Sequence, residues 1–396
     1  MFPKLRFKEF DGDLTESKLV ELTSWASGGT PAKDVPEYWG DDIPLISGAS
    51  MHTNQLYESD VKITKLGLQK GSKLALKDSI LILVRGSMLF NKIPMGITLG
   101  DVAFNQDVKC IRPKQQLAPL FLFQWLHAKE NTIQNKVTAT GIGAGKLDTA
   151  DLQNLKLYKP SLEEQTKIAT FLSAVDEKIS QLTQKHQLLR EYKQGMMQKL
   201  FSQQVRFKAD DKSEFGEWEE KELKDIAEIN PKSKKLPESF IYIDLESVEK
   251  GKLLLQKNIE LQDAPSRAQR LLAKGDVLFQ MVRPYQQNNY YFNLSGEYVA
   301  STGYAQIRTK LDSKFIYYAL HEKTFLDEVM NRCTGTSYPA INSSDLSSIE
   351  ILIPCLEEQT KIANFLSGID QKIEVVAQQI EQAKTWKKGL LQQMFI

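Results

Sequence analysis

The stretch PSLEEQTKIATFLSAVDEKIS, residues 160–180, occurs a second time in the chain as PCLEEQTKIANFLSGIDQKIE, residues 354–374. The two copies are identical at 15 of 21 positions and lie 194 residues apart. A match of this length at a fixed spacing is the signature of a repeated structural unit. We therefore interpret the 396-residue chain as two similar halves.

Weaker matches extend the repeat outward from this stretch on both sides. Each half runs from a more variable portion to a similar C-terminal segment. The matches, first copy before second, are FLFQWLHAKE (121–130) with FIYYALHEKT (315–324), LREYKQGMMQKLF (189–201) with AKTWKKGLLQQMF (383–395), LRFK (5–8) with VRFK (205–208), and LTESKLVEL (14–22) with WEEKELKDI (218–226). The duplication thus covers nearly the whole chain.

The repeated stretch predicts a helix that begins directly after Pro160. Ser161 is a favourable N-cap, and Glu164 follows three residues later, the spacing of a capping box. The second copy carries Cys355 at the cap position, so we predict a weaker start for that helix.

Two pairs of adjacent carboxylates, Glu163/Glu164 and Glu357/Glu358, lie in the first turns of these helices. Paired carboxylates can serve acid–base catalysis, but acidic side chains at a helix start also interact favourably with the helix dipole. We prefer the structural role for both pairs.

Downstream, apolar residues alternate at spacings of four and three over about 40 residues in each copy, which is the period of a coiled-coil seam. At ~1.5 Å per residue each helix would extend ~60 Å. We predict that the two helices pair antiparallel, which gives the chain a pseudo-twofold internal repeat. Lys193 and Lys387 are polar seam positions at the same place in both copies, and such positions can fix register. The predicted seam residues are Ile168, Leu172, Val175, Ile179, Leu182 and Leu189 in the first helix, and Ile362, Leu366, Ile369, Ile373, Val376 and Ile380 in the second.

The portions between the helices alternate short β-type runs with turns and one helix each, a mixed α+β pattern. The sequence therefore predicts four segments: a first globular head (1–158), a central long helix (159–203), a second head (204–352) and a C-terminal long helix (353–396). His127 and His321 coincide in the repeat, and we interpret both as packing or capping residues.

Composition excludes several classes of protein. The net charge of +1 excludes a globally basic nucleic-acid binder, so any DNA site must be a local patch. The three cysteines form no C-x-x-C pair, which argues against a disulfide framework or a zinc site. No run of about 18 apolar residues occurs, so we expect a cytoplasmic protein without a membrane segment.

The glycine-rich stretch TGIGAGKLDTADL (140–152) raises the alternative of an enzyme that binds nucleotide phosphates. Its spacing fits neither the P-loop nor the dinucleotide-binding pattern. Its counterpart TGTSYPAINSSDL (334–346) has Ser337, Pro339 and Ala340 in place of Gly143, Gly145 and Lys146. We therefore interpret it as a surface loop that leads into the last strand of the head.

Two further loops are rich in side chains that suit DNA bases, namely LVRGSMLFNK (83–92) and MVRPYQQNNYYF (281–292). Arginine pairs well with guanine, and asparagine and glutamine pair well with adenine. An ordinary exposed hairpin explains each loop alone equally well, but their matching places in the two heads favour DNA contact. The DNA-binding candidates are Arg85, Ser87, Asn91, Lys92, Thr140 and Lys146 in the first head, and Arg283, Tyr285, Gln286, Gln287, Asn288, Asn289, Ser337 and Tyr338 in the second.

The layout of variable head, repeated helix, second head and repeated helix resembles the specificity subunits of type I restriction-modification enzymes. The doubled P-x-LEEQTKIA-x-FLS carries most of the resemblance, together with the TG…DL loops. Four shorter motifs add to it, namely LRFKEF (5–10), SGGTP (27–31), NQDVKCIRP (105–113) and EINPKSK (228–234).

The resemblance implies a non-catalytic DNA-sequence-specificity subunit. In that family each head is a target-recognition domain for one half of a gapped DNA sequence, and the helices set the gap and dock two methyltransferase subunits. Restriction and motor subunits complete the complex. The expected partners are thus double-stranded DNA and these subunits. S-adenosylmethionine, and ATP and Mg²⁺ for restriction, are expected on the partner subunits, with no cofactor or metal bound directly by this chain. The alternative is a coiled-coil scaffold with two protein-binding heads.

Overall fold

The fold was obtained as a computed structural model that describes residues 3–141, 143–233 and 235–395. Ile142 of the glycine-rich loop and Lys234, the last residue of EINPKSK, lie outside the described residues. The chain divides into two compact units, one formed by residues 1–183 with 378–396 and the other by residues 184–377. Each unit combines one head with a part of each long helix.

The first head is a mixed α+β domain whose main sheet has five strands in the order Thr23–Ser27, Val108–Pro113, Ile80–Leu83, Met95–Thr98, Gln55–Leu56. A four-stranded sheet follows the order Lys62–Ile63, Trp39–Ile46, Val102–Phe104, Lys73–Ala75, and a three-stranded sheet the order Thr138–Ala139, Gly145–Lys146, Arg85–Gly86. The helices are Leu19–Leu22, Lys65–Gly71, Pro119–Ala128, Glu130–Gln134 and Thr149–Gln153, with 3₁₀ turns at Pro36–Tyr38, Gly48–Ser50 and Ser87–Phe90.

The second head is built from two four-stranded sheets. Their strand orders are Ala227–Ile229, Tyr304–Thr309, Val277–Gln280, Tyr290–Tyr291 and Lys257–Glu260, Ser239–Ile243, Tyr298–Ser301, Ala268–Leu271. A two-stranded ribbon pairs Val248–Glu249 with Lys252–Leu253. The helices are Leu223–Ile226, Ser313–Ala319, Lys323–Arg332 and Ser343–Ser347, with 3₁₀ turns at Leu261–Asp263 and Pro284–Gln286.

Each head is closed by a pair of antiparallel strands that joins its beginning to its end. Thr15–Lys18 pairs with Lys156–Lys159 in the first head, and Glu219–Glu222 pairs with Glu350–Ile353 in the second. The predicted last strand of each head is therefore confirmed. Because the long helix follows this strand within a few residues, the strand pair fixes where the helix leaves the head.

Both predicted long helices are present, at Leu162–Phe201 and Leu356–Met394. Most of the predicted seam residues are buried, whereas Ile179, Leu189 and Ile373 are half-buried. In each copy the first turns of the seam belong to the core of the adjoining head: Ile168, Leu172 and Val175 lie in the first core, and Ile362, Leu366 and Ile369 lie in the second.

The end of each long helix completes the core of the head within its unit. In the first unit the Phe395 ring lies 5.4 Å from the Phe121 ring, and the amide of Leu5 donates to the carbonyl of Gln393. In the second unit the repeat equivalent of Phe395, Phe201, lies 5.6 Å from Phe315. Among the described residues, no helix combines the length and apolar character that a bilayer crossing requires.

Candidate nucleic-acid interface

In the first head, the two predicted DNA-contacting segments meet in the small three-stranded sheet. Lys146 is the antiparallel register partner of Arg85 and also of Thr138. Arg85 and Lys146 are both exposed, and neither makes an ion pair within the described part of the chain. Like charges on directly opposed strand positions destabilise a sheet unless an anion neutralises them. This cross-strand pair is therefore suited to a phosphate group.

The glycines of this hairpin have structural functions. Gly143 has a φ of +76°, and a side chain at Gly145 would approach the carbonyl oxygen of Gly86 to 2.9 Å. Gly145 and Lys146 form a strand, whereas a phosphate-binding loop needs free amides at a helix start. Thr140 donates from its hydroxyl to the carbonyl of Ala144 at 2.9 Å and so shapes the turn. The interpretation as a surface loop rather than a nucleotide site agrees with this geometry.

The remaining candidates of the first head lie on the 3₁₀ turn Ser87–Phe90 and directly after it. Ser87, Asn91 and Lys92 are exposed, while Leu89 between them is fully buried. The amides of Asn91 and Lys92 both donate to the carbonyl of Met88. The buried leucine and these backbone bonds hold the polar side chains on a fixed surface turn.

In the second head, the two predicted segments also meet. Val282 forms a β-bridge with Ala340, and the amide of Arg283 donates to the carbonyl of Pro339 at 2.7 Å. The guanidinium of Arg283 stacks on the Tyr338 ring at 4.2 Å and forms no ion pair within the described residues. The structure thus brings together Arg283 and Tyr338, which are 55 positions apart in the sequence, and exposed Ser337 precedes Tyr338.

The loop 283–289 is held in one conformation from below by a buried glutamine. Gln280 donates from Nε2 to Oε1 of Gln286 at 2.9 Å, and its Oε1 accepts from the amide of Asn288 at 3.1 Å. Arg283 and Gln287 adopt left-handed φ values of 54° and 52° on either side of the turn Pro284–Gln286. Tyr285 is half exposed at the tip of this preorganised loop.

Asn289 is a candidate that the structure removes, because it is 1% exposed and its side chain is used internally. Its Oδ1 accepts from the amide of Gln280 at 2.9 Å, and its Nδ2 lies 3.4 Å from Nε2 of His321. Asn288 is half-buried and accepts from the amide of Lys250. The sequence could not distinguish these supporting residues from exposed ones, because the whole run Gln286–Asn289 is polar.

Matching the two loops by sequence makes Arg85 equivalent to Arg283, but the strand pairing in the structure shifts this match by one residue. Lys146 and Ala340 are repeat equivalents, yet Arg85 pairs with Lys146 whereas Val282 pairs with Ala340. In the strand pairing, the residue of the first head that is equivalent to Arg283 is therefore Gly86, which has a φ of 145°. A shift of one residue places side chains on opposite faces of a strand. The two arginines thus occupy different positions on their heads.

The repeated LEEQ motif performs a function that the sequence did not reveal. Glu164 was predicted to close a capping box, but its carboxylate instead accepts from Arg6 at 2.7 Å and 2.8 Å. Only the other half of the box is present: the hydroxyl of Ser161 accepts from the amide of Glu164 at 3.3 Å. The helix start is therefore tied to the segment LRFK rather than capped reciprocally.

The same tie recurs in the second half. Glu358, which is fully buried, accepts from Arg206 at 3.1 Å and 2.7 Å and from Nε1 of Trp218 at 3.1 Å. Hydrogen bonding to the carboxylate raises the pKa of Arg206, as it does for Arg6 in the first half. The arginine shared by LRFK and VRFK thus makes the same contact with a glutamate in both halves.

The adjacent glutamine ties the helix to the rest of its head. Gln165 accepts from the amide of Ala118 and donates to the carbonyl of Pro160, and Gln359 accepts from the amide of Asp312 and donates to the carbonyl of Pro354. Both glutamines are buried. Each one connects the start of the long helix to the start of the head helix.

Among the described residues, no group of three or more histidine, cysteine, aspartate or glutamate side chains could hold a metal ion. The second acidic residue of each LEEQ pair is engaged with arginine, as described above. His321 is half-buried, with Nδ1 2.7 Å from the carbonyl of Tyr317, so it packs within the head as predicted.

Comparison with known proteins identifies relatives along the whole chain. The family model of the type I restriction modification DNA specificity domain matches twice, at residues 12–190 and 216–385. The MjaVIII specificity subunit of a type I restriction enzyme from Methanocaldococcus jannaschii is 27% identical, and the alignment covers 97% of this chain and 94% of that protein. The EcoR124I/EcoR124II specificity subunit from Escherichia coli is 29% identical over 182 residues, or 46% of this chain and 45% of that protein.

The fold also matches a solved structure. The crystal structure of the type I restriction-modification system S subunit from M. genitalium superposes with a TM-score of 0.63 at 17% identity, and the match covers 100% of this chain and 99% of that one.

Proposed function

This chain belongs to the type I restriction-modification DNA specificity family, and we propose that each of its two heads reads one half of a gapped, bipartite DNA target. The observation that carries this proposal is the meeting of the two candidate segments in each head, at Arg85 with Lys146 and at Arg283 with Tyr338. Because the two heads present different side chains on a repeated frame, the two half-sites should differ in sequence.

The two loop surfaces suit complementary contacts with DNA. Arg85 and Lys146 are opposed basic residues that make no ion pair with the residues that the structure describes, and they suit the phosphate backbone, which dominates affinity. Arg283 is stacked on Tyr338, and an arginine held in one orientation can donate two hydrogen bonds to the major-groove edge of guanine. We assign base readout to Arg283, Tyr285 and Gln287, and phosphate contact to Arg85, Lys92 and Lys146.

The long helices pair as an antiparallel coiled coil that separates the heads. Two contacts of the same kind support this pairing: Lys387 with Asp176 inside the first unit, and Lys193 with Asp370 inside the second. The polar seam positions thus have acidic partners, which is how polar seam residues specify register. The spacing between the half-sites then follows from the helical frame.

The chain acts as a non-catalytic subunit. It docks two methyltransferase subunits through its helices and joins restriction and motor subunits in the complete enzyme, with the complex acting on DNA in the cytoplasm. S-adenosylmethionine is bound by the methyltransferase subunits, and ATP and Mg²⁺ are used by the restriction subunits. The near-zero net charge agrees with this division, because partner subunits can supply further phosphate contacts.

A head exchange tests the proposal directly. Residues 206–352 are replaced by residues 6–158, so that both heads carry the first loop pair, and the variant is combined with its methyltransferase subunit. We expect modification of a symmetric target in which the first half-site occurs on both strands. A folded complex that still modifies the original asymmetric target would contradict the assignment of one half-site to each head.

A further inference from the structure

One carboxylate in the first unit joins three separate elements. Asp176 of the first long helix accepts from Nζ of Lys387, on the second long helix, at 2.5 Å. Its other oxygen accepts from Nε2 of Gln124, on the head helix Pro119–Ala128, at 2.7 Å. We call this set the first junction.

The second unit contains the same arrangement with the helices exchanged. Asp370 of the second long helix binds Nζ of Lys193 from the first long helix, at 2.7 Å and 2.9 Å. The hydroxyl of Tyr318, on the head helix Ser313–Ala319, donates to Asp370 at 2.7 Å. Tyr318, Asp370 and Lys387 lie 194 positions after Gln124, Asp176 and Lys193, so this second junction is the repeat equivalent of the first.

The charge pattern of the junctions favours antiparallel pairing of the helices. Each long helix carries an aspartate and, 17 positions later, a lysine. In antiparallel order every aspartate meets a lysine, as observed. In parallel order with equivalent residues side by side, aspartate would face aspartate and lysine would face lysine, which is unfavourable.

The junctions also differ physically from the apolar contacts around them. Hydrophobic burial is non-directional, so an apolar seam tolerates small displacements along its axis. A hydrogen bond weakens steeply once its length or angle departs from the ideal range. The lysine side chains are only 12% and 23% exposed, so water replaces the lost contact incompletely.

We propose that the two junctions fix the position of each head along the helix pair and thereby set the number of base pairs between the half-sites. This inference rests on the proposed function. One base pair advances DNA by about 3.4 Å and about 34°, so a head that shifts by one side-chain contact can accept a neighbouring gap. Gln124 and Tyr318 then act on target specificity without touching DNA.

The test uses the complete complex with the methyltransferase subunit and five duplexes. Each duplex carries both half-sites of the wild-type target, and the gap ranges from two base pairs shorter to two longer than the native gap. Tyr318→Phe removes the hydrogen bond between head and helix and keeps the ring. Lys193→Met removes the ion pair between the helices, together with the contact of the Lys193 ammonium with the Tyr318 ring at 5.1 Å. Lys384→Gln is the matched control, because Lys384 pairs with Glu381 at the exposed surface of the second long helix. Initial methylation rates are measured for each duplex.

We expect the wild type and Lys384→Gln to prefer one gap by at least about tenfold over its neighbours, the cost of roughly one mismatched base pair. In Tyr318→Phe and in Lys193→Met this preference should fall to about threefold, with the native-gap rate reduced by less. Gln124→Leu should have the same effect through the first junction. Thermal melting checks that the variants remain folded.

Two results would overturn the inference. If the variants lose rate equally on all five duplexes, or keep the full preference for the native gap, the junctions do not set the gap, and the proposed function stands. If the wild-type complex methylates no gapped target, the proposed function itself fails, and this inference fails with it.

Discussion

The contacts that join helix to head repeat between the two halves, whereas the contacts within the candidate DNA loops do not. Arg6–Glu164 recurs as Arg206–Glu358, and Gln165 recurs as Gln359. In the loops, by contrast, Lys146 is replaced by Ala340, and the left-handed position holds Gly86 in one head and Arg283 in the other.

The support beneath the loops differs as well. The buried residue below the second loop is Gln280, which binds the loop through its side-chain amide, whereas the strand residue before the first loop is the apolar Leu83. The two halves of the chain therefore share the contacts that join each long helix to its head, whereas their candidate DNA loops differ. Two unlike half-sites read by two similar halves of one chain follow from that division.

We expect the largest effect on stability when the repeated arginine–glutamate contacts between helix and head are removed. Arg6→Ala and Arg206→Ala each leave a buried carboxylate without its cation, which costs about 3–5 kcal/mol of folding free energy. Arg206→Ala should be the milder of the two, because Glu358 keeps the hydrogen bond from Trp218. Hydrogen exchange resolved by peptide assigns the destabilisation to one unit.

The control for this comparison is Lys221→Ala, since Lys221 and Glu219 form an exposed pair that contributes little. Equal hydrogen-exchange rates in the control and in both arginine variants would show that the arginine–glutamate contacts do not stabilise the heads.

A pH effect should distinguish the two heads. Burial lowers the pKa of His321 from 6.5 to about 4. Between pH 6.5 and 4 the unfolded chain binds a proton at this histidine and the folded chain does not. The free energy of unfolding is therefore unaffected by His321 above pH 6.5 and decreases as the pH falls from 6.5 to 4. The total loss is roughly 3 kcal/mol.

We expect the hydrogen-exchange protection of the second unit, measured relative to the intrinsic exchange rate at each pH, to fall between pH 6.5 and 5 by more than in the His321→Gln variant. The same pH dependence in both proteins would assign the acid sensitivity to other groups.

A smaller effect concerns the loops alone. Arg283→Ala should reduce discrimination at one base pair by about 1–3 kcal/mol, and Lys146→Ala should weaken binding evenly and lower the salt slope by about 1. Lys146→Ala should not alter thermal stability by more than about 0.5 kcal/mol, because Lys146 is exposed and makes no ion pair with the described residues. Binding of matched and singly substituted duplexes by the complex measures these effects.

Arg267→Ala is the matched control, since Arg267 is exposed on the second head outside the loops. If it relaxes the same base preference, the loops are not the reading surface.

The smallest effect that we expect is on stability and comes from the backbone conformation of Arg283 in the second loop. Arg283 occupies the left-handed region, which is unfavourable for residues other than glycine by roughly 1 kcal/mol. Arg283→Gly should therefore stabilise the second unit slightly while it reduces discrimination at the same base pair as Arg283→Ala does, whereas Gly86→Ala should destabilise the first unit. Denaturant midpoints of the two variants, compared with the wild type, measure this difference. A destabilised Arg283→Gly variant would show that the Tyr338 contact contributes more than the strain costs.

The repeat, the long helices and the last strand of each head follow from the sequence, because periodicity and repeated motifs are local signals. The partners of the repeated polar residues do not. Arg6 and Glu164 are 158 positions apart, and one sequence shows only that both residues recur. Capping-box spacing therefore suggested the wrong partner for Glu164.

The sequence predicts the loop candidates as two separate segments in each head. That the two segments contact each other depends on the pairing of distant strands, which the sequence alone does not show. Polarity alone placed Asn289 on the surface, although a buried hydrogen-bond network needs polar side chains as much as a reading surface does. The sequence alignment also misplaced Arg85 against Arg283, because a one-residue difference in register is invisible without the sheet.

The central claim is that two different heads on a repeated frame read the two halves of one gapped target. The most direct measurement is to co-express the chain with its methyltransferase subunit in a host free of DNA methylation and to map modified bases across the host genome. The account predicts one motif with two unlike half-sites, a fixed gap and modification on both strands. A stable complex that modifies an ungapped motif, or no motif at all, would contradict it.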